Sequence, residues 1–257
     1  MDILDAYSDD FPLPENSVSI FSGEWASQIP GTAGSGNASL FSDPRLIEII
    51  QRCGGLSGKK CLELGPLEGG HTYLMWRNGA ESITSIEGNQ RAFLKCLITK
   101  ELLGYQANFL YGDFTKYVER ETQEFDFTNM SGVLYHMTAP HALISNVARI
   151  SKQIACWTHY FDADILMSDP TLNFKFEFTP KDIDVNGIKC RLFKQNYLVS
   201  LQQKSFCGGK EPFSYWLEKD AILALFRSFG FETHVLSDEP NHLHGPSMNF
   251  YAVRRTP

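Results

Sequence analysis

Apolar residues recur in two alternating rhythms between residues 42 and 161. SDPRLIEIIQRCG (residues 42–54) carries a helix signal: Ser42 or Asp43 caps, Pro44 suits the first turn and Gly54 follows the end. A short apolar run at 59–65 predicts a buried strand, 70–79 a short helix with a glycine stop, and 81–88 a second strand. The clearest helix is 89–104. Asn89 caps it, Phe93 or Leu94, Leu97, Ile98 and Leu102 share a face, and Gly104 ends it. Strands at 107–113, 125–132 and 153–161 then alternate with helices at 114–122 and 139–150. Strands alternating with helices over short connections imply βαβ units, a parallel sheet and right-handed crossovers. Ligands of such sheets sit beyond the carboxyl ends of the strands, so the residues just after each strand carry the interest.

The flanks break this rhythm. Residues 1–41 are rich in Ser, Gly, Pro and Asp and read as an irregular N-terminal arm, with a flexible loop at 31–39. Residues 42–257 read as one domain in which 162–215 is an insert or lid, holding alternating runs and turn signals. Phe174, Phe176, Phe178, Tyr197 and Trp216 make this region aromatic. They suit either a cover over an apolar acceptor or an extra sheet layer with its own core. A helix follows at 218–231, with Ile222, Leu225, Phe226 and Phe229 on one face, and two closing strands complete the chain.

Composition narrows the class. Hydrophobic residues at 43% and charged residues at 21% are an ordinary globular mix, and no apolar run reaches the roughly 18 residues of a membrane helix. The acidic, proline-broken start lacks the basic and apolar regions of a signal peptide, so a cytoplasmic protein is expected. A formal charge of −7 disfavours a broad grip on nucleic acid phosphates. No CxxC pair is present. Cys61 and Cys156 lie in apolar runs and read as small buried hydrophobes, and Cys207 has no visible base partner.

The strand ends hold the candidate chemistry. The first strand runs into Glu63-Leu-Gly65-Pro-Leu-Glu-Gly69-Gly70, where glycines four apart let backbone approach a ligand; a tight strand-to-helix turn needs the same glycines. The second ends at Glu87, placed to accept hydrogen bonds from the two ribose hydroxyls of an adenosine ligand. The third ends at Gly112-Asp113-Phe114: the carboxylate can accept from an adenine amino group or cap the next helix, and Phe114 can stack on the ring. The fourth runs into Ser131, Gly132, Tyr135 and His136, a polar aromatic pair where an acceptor belongs. The fifth ends in THYFD, which places Thr158, His159 and Asp162 near the same crevice. HLHGP adds His242 and His244 near the last strand. A metal site built from these residues is conceivable, but a neutral active-site rim fits them better, and no metal is expected.

These signals follow four successive strands in one order. LELGPLEGG resembles the acidic-x-Gly-x-x-x-Gly loop of class I S-adenosylmethionine-dependent methyltransferases. SIEGN resembles their ribose-binding acid, GDF their adenine-binding acid, and FDFTNMSGVLYHM their fourth motif. GVLYH and GHTYLMWRNGA are similar to the tRNA wobble-uridine carboxymethyltransferase branch. The match is dense over 59–160 and looser over 216–257. The resemblance implies a Rossmann-like α/β fold: a seven-stranded, mostly parallel sheet with helices on both faces. It implies S-adenosyl-L-methionine as cofactor, held by Glu63, Gly65, Gly69, Glu87, Asp113, Phe114, Ser131 and Gly132, with Tyr135 lining the transfer site. His136 or His159 is the expected general base. Two departures stand out. Leu67 occupies a position where the family often has Gly, and the basic residues that the carboxymethyl branch uses before the first strand have no convincing equivalent, since Arg45 and Arg52 fall on a helix. The expected reaction is therefore methyl transfer to an O or N nucleophile of a small-molecule acceptor. A tRNA acceptor is the alternative, disfavoured by charge, and a non-catalytic cofactor-binding module is the third reading.

Overall fold

The computed structural model describes residues 7–33, 35–202 and 208–255. Its centre is a seven-stranded sheet in the order β3-β2-β1-β4-β5-β10-β9. The strands are β1 (Lys60–Leu64), β2 (Ser82–Glu87), β3 (Asn108–Tyr111), β4 (Phe125–Asn129), β5 (Ser151–His159), β9 (Phe231–Glu239) and β10 (Ser247–Arg254). β1 to β5 pair in parallel, and β10 runs antiparallel to both β5 and β9. The sheet reverses strand order between β1 and β4, which opens a crevice at their carboxyl ends.

Period-two alternation assigns the two faces. Cys61, Ile83, Phe127 and Ala155 pack with Leu46, Ile49, Ile50, Leu74 and Met75 of α2 (Pro44–Arg52) and α3 (Gly70–Arg77). Leu62, Leu64, Ile154, Cys156 and Phe250 face the other way, against α6 (Pro140–Ile150) and α8 (Lys219–Ser228). Sequence-encoded caps fix the helix starts. Asp43, not Ser42, caps α2 by accepting from the Arg45 N–H, and Asn89 caps α4 (Gln90–Leu103) through Ala92 N–H. Asp113 caps α5 (Phe114–Arg120) through Thr115 N–H. Cys53, Cys61, Cys96, Cys156 and Cys190 are buried free thiols, and burial pushes that of Cys61 up to about 12, so it stays protonated. Cys207 lies outside the described residues.

The arm is more ordered than its composition predicts. It contains a one-turn helix, α1 (Asn16–Ser19), and it buries Val18, Phe21, Trp25, Ile29 and Phe41 against Tyr73, Leu94, Ile98 and Leu102 of α3 and α4. The insert after α7 (Ala163–Ser168) is a three-stranded antiparallel sheet: β6 (Phe176–Val185), β7 (Ile188–Asn196) and β8 (Phe213–Leu217). Asn186 and Gly187, both at positive φ, make the two-residue turn between β6 and β7. The insert carries its own small core of Phe161, Leu166, Leu172, Phe176, Phe193 and Trp216. Among the described residues no helix is long and apolar enough to cross a membrane.

Candidate functional site

The loops after β1 to β4 meet at one rim. Leu67 N–H donates to Glu87 Oε2 at 3.0 Å, and Asn89 N–H donates to Oε1 at 2.8 Å. Burial raises the Glu87 carboxyl, and these backbone donors oppose the rise. The carboxylate offers about four acceptor positions, more than the N–H groups of Leu67, Asn89 and Gly88 occupy, so the group is oriented and still able to accept. A Cβ on Gly65 would stand 3.2 Å from Val133 Cγ2 and 4.0 Å from Phe114 Cε1, and one on Gly88 3.4 Å from the Gly112 carbonyl. Four strand ends thus share one small region. Leu67 adopts φ +56, a left-handed conformation that costs a side chain of this kind about 1–2 kcal/mol. That geometry accompanies the N–H aimed at Glu87.

Two of the expected glycines differ in what they do. A Cβ on Gly132 (φ +81) would meet nothing within 4 Å, whereas one on Gly69 (φ +79) would lie 2.2 Å from the Tyr105 hydroxyl. Gly69 is therefore bare because protein packs there, not because its own face is open to a ligand. Asp113 uses Oδ1 for the Thr115 N–H and hydroxyl, while the Lys210 ammonium stands 3.8 Å from Oδ2. Burial pulls this carboxyl upward, but the Thr115 hydrogen bonds and Lys210 outweigh it and hold it low. The cap role holds, and Oδ2 is left facing Lys210. Phe114 packs partly into the core beside Gly65.

A polar network behind the rim went unrecognised in the sequence. Glu63 is buried, and burial raises its carboxyl. It accepts from the hydroxyls of Thr72 and Ser85 and from Asn129 Nδ2. Asn129 Nδ2 also meets His71 Nδ1 at 3.2 Å, and His71 Nε2 meets Asp43 Oδ2 at 3.0 Å. Arg45 completes Asp43 with a fork through Nε and Nη2. Burial alone would raise the Asp43 carboxyl, yet hydrogen bonds from His71 and Arg45 hold it well below the usual range. Asn129 Oδ1 accepts from the Ser131 N–H and hydroxyl, and Ser131 Oγ receives the Trp157 N–H. Arg45 lies 4.8 Å over the Trp157 ring, closing a loop of contacts from the first turn of α2 to the end of β5. The sequence offered a signal: a histidine directly after paired glycines, facing a helix-capping aspartate. Arg52, by contrast, only pairs with Glu48 on the exposed side of α2.

Beyond the rim lies a packed cluster of rings. The short 3-10 turn Leu134–His136 presents Tyr135 and His136. Tyr135 sits 4.1 Å from His136, 4.6 Å from His159, 5.8 Å from Trp157 and 6.1 Å from Trp216, centroid to centroid. His159 stacks flat on Trp216 of β8, with an interplanar angle of 6°. His136 Nδ1 meets the Tyr197 hydroxyl at 2.9 Å, and His159 Nδ1 meets the Gly245 carbonyl at 2.8 Å. Burial pushes His136 down to about 3, with neighbouring His159 adding to it, and pushes His159 down to about 4, with His242 adding. Both rings are neutral at pH 7. His242 stands 5.0 Å from His159, while His244 N–H turns back onto His242 Nδ1. The THYFD expectation needs correction. Asp162 caps α7 through Ile165 N–H, and the Thr158 hydroxyl donates to the carbonyl of His159. Among the described residues no group of three or more His, Cys, Asp or Glu side chains is arranged to hold a metal ion.

No protein-family model matches the chain, and no curated protein matches it. Solved structures do. The N-terminal domain of EvdMO1, crystallised with SAH bound and also in the presence of SAH and D-fucose, superposes with TM-score 0.67 at 20% identity, over 95% of each chain. Magnesium protoporphyrin IX methyltransferase (ChlM) from Synechocystis PCC 6803 with bound SAH gives TM-score 0.53 at 15% identity, over 82% of this chain and 80% of that one. TehB from Haemophilus influenzae gives 0.55 at 12% identity, over 93% and 67%. At such identities the likeness is one of fold: the chain has the Rossmann-like, seven-stranded fold that these structures share.

Proposed function

We propose that the chain is an S-adenosylmethionine-dependent methyltransferase acting on an O or N nucleophile of a small-molecule acceptor. The observation that carries this reading is the Glu87 carboxylate, fixed at the end of β2 by the N–H groups of Leu67 and Asn89 with acceptor capacity left over. It fits the two hydroxyls of a ribose. Gly132, where an added Cβ would meet nothing, and Asp113 Oδ2, which shares only a 3.8 Å contact with Lys210, suit the remaining length of an adenosine ligand on the same rim. Glu63, Gly65, Phe114 and Ser131 shape the loops around it, and Gly69 supports them by packing. When bound, the cofactor supplies an electrophilic methyl group on a sulfonium. The protein's share is to position the acceptor and take its proton. Tyr135 orients the acceptor, and His136 or His159, neutral at pH 7, is the base. Solved structures of the same fold with SAH, one of them also with D-fucose, support both the cofactor and a small acceptor.

Titration calorimetry with SAH tests the assignment. Wild type is expected to bind. Glu87→Ala is expected to lose roughly 10- to 150-fold in affinity, the worth of one hydrogen bond to a charged group at about 1.5–3 kcal/mol. Absence of binding to wild type would sink the reading. A gel shift with bulk tRNA at low salt separates the acceptors: a shift would move the acceptor from small molecule to tRNA.

A further inference from the structure

The insert keeps some of its apolar side chains out of its own core. Phe176 and Trp216 are buried there, but Phe174 is 61% exposed and Met167 60%, and Phe178 only leans against that core. Together with Phe176 and Asn173, the residues Met167, Phe174 and Phe178 line an open groove of about 320 Å³. The core holds its inner wall in place. Phe178 packs edge to face against Phe161 at 5.8 Å, and Phe176 does so against Phe161 at 5.9 Å and Trp216 at 4.8 Å. Asn173 is the one polar residue of the lining, and its side-chain amide has no hydrogen-bond partner among the described residues. Such an amide offers both a donor and an acceptor.

The lining decides what fits. No charged residue belongs to it, so an anion or an ammonium finds no counter-charge in its walls. Three phenyl rings favour another ring, which they can meet offset or edge to face. The volume is at the lower end of small-molecule sites, which span about 300–1,000 Å³. It gives room to a small ring system rather than to a helix, whose diameter alone is about 10–12 Å. The groove also neighbours the acceptor side of the site. Phe176 touches Trp216, which stacks on His159 at 5.1 Å and lies 6.1 Å from Tyr135. Phe178 and Tyr135 lean on the same core. One ring, Trp216, stands between Phe176 and both His159 and Tyr135.

Resting on the methyltransferase reading, we propose that this groove holds a neutral aromatic ring of the acceptor, away from the atom that is methylated. Phe174, Phe176 and Phe178 pack on the ring with Met167 beside them, and Asn173 pairs with one polar substituent on it. The rest of the acceptor passes Trp216 and brings its nucleophile to Tyr135. Phe174 and Asn173 thus set which acceptors bind, and they lie on the insert rather than on the cofactor rim.

The test is binding, read by titration calorimetry on the whole protein with and without SAH. The probes are 2-naphthol and its saturated counterpart, decahydro-2-naphthol. The aromatic probe is expected to bind about tenfold more tightly. Phe174→Ala, at an exposed position, should weaken 2-naphthol about tenfold, and Asn173→Ala roughly fivefold, while SAH affinity holds in both. A tethered probe, 4-(2-naphthyloxy)butan-1-ol, tests the link to the acceptor. With its naphthyl group against Phe176 and Phe178, its hydroxyl end should give nuclear Overhauser contacts to the Tyr135 ring. No binding of 2-naphthol, equal binding of the two naphthols, or unchanged affinity in Phe174→Ala would each overturn the groove as a ring site. A seated naphthyl group whose tether shows no contact with Tyr135 would overturn its assignment to the acceptor. Failure to bind SAH, with the ring still bound, would instead overturn the underlying cofactor reading.

Discussion

Removing the Glu68 carboxylate should unsettle the molecule more than any other single change in the glycine-rich loop. Glu68 is fully buried and accepts from Ala26 N–H at 2.9 Å, Ser27 N–H at 2.7 Å and the Lys95 ammonium at 3.1 Å. Lys95 is itself buried, lies 5.2 Å from the Trp25 ring and also donates to the Glu24 carbonyl. In Glu68→Ala an ammonium and two backbone donors lose their acceptor. Stranding one partner of a buried pair costs about 3–5 kcal/mol. The chain has one escape, which is to release the arm. That would expose Val18, Phe21, Trp25, Ile29 and Phe41, at about 1.5–3 kcal/mol each, a total near 10 kcal/mol. Tolerating the stranded charge is cheaper, so the arm stays docked and the whole fold weakens. For a chain of this size the loss corresponds to a Tm lowered by roughly 6–20 °C. Differential scanning calorimetry reads the shift, and limited proteolysis reads the arm. Glu68→Ala/Lys95→Met should regain part of the loss, because the stranded ammonium is gone. A Tm within 2 °C of wild type, or a double variant no better than the single, would refute the argument.

Other outcomes follow from the same contacts. Gly69→Ala should cost about 2–4 kcal/mol, since its Cβ meets the Tyr105 hydroxyl at positive φ. Gly132→Ala should cost only about 1–2 kcal/mol, the backbone penalty, yet weaken SAH binding by tenfold or more; thermal melts and calorimetry separate the two effects. Stability should also depend on His136 and His159. Both have folded values, about 3 and about 4, below their ordinary 6.5, so the unfolded chain binds more protons between pH 6.5 and 4. Their contribution is complete above pH 6.5 and is lost as pH falls through that window, by at most about 1.4 kcal/mol per pH unit for each ring. Glu63 and Glu87, raised by burial, act in the opposite sense. The comparison is therefore between melts of the wild type and of His136→Gln/His159→Gln, whose profile should be flatter over pH 4–6.5. Equal slopes would show that neither ring is held neutral by the fold.

Local rules made the sheet legible. Strong apolar runs bounded by glycine, and caps at Asp43, Asn89 and Asp113, mark elements whose ends depend on neighbours in sequence. The order of the rim acids, Glu63, Glu87 and Asp113, was equally visible, because strand ends are local features. Residues whose role depends on distant contacts escaped. The arm looked irregular because its apolar residues follow no period, and only the matching surface of α3 and α4 gives them a place. Glu68 drew no reading of its own, since its partners Ala26, Ser27 and Lys95 lie 27 or more positions away. Trp157 and Trp216 could not be joined to His159 without knowing that β8 of the insert reaches the end of β5. Asp43 read only as a cap, although its second oxygen serves His71.

The insert is tied to the main domain by backbone bonds, Phe161 N–H to the Leu217 carbonyl and Tyr215 N–H to that of Met137, and by Cys190, Leu192 and Leu217, which pack into the core beside α8. It brings Trp216 and Tyr197 to the cluster of rings and Lys210 to Asp113, while Glu87, Asp113 and Gly132 themselves come from loops it did not build. On the proposed reading, the insert shapes the acceptor side of the site and reaches the cofactor side through Lys210. Exchanging residues 170–217 as a cassette would therefore have to preserve apolar side chains at 190, 192 and 217 for the shared core and a cation opposite Asp113.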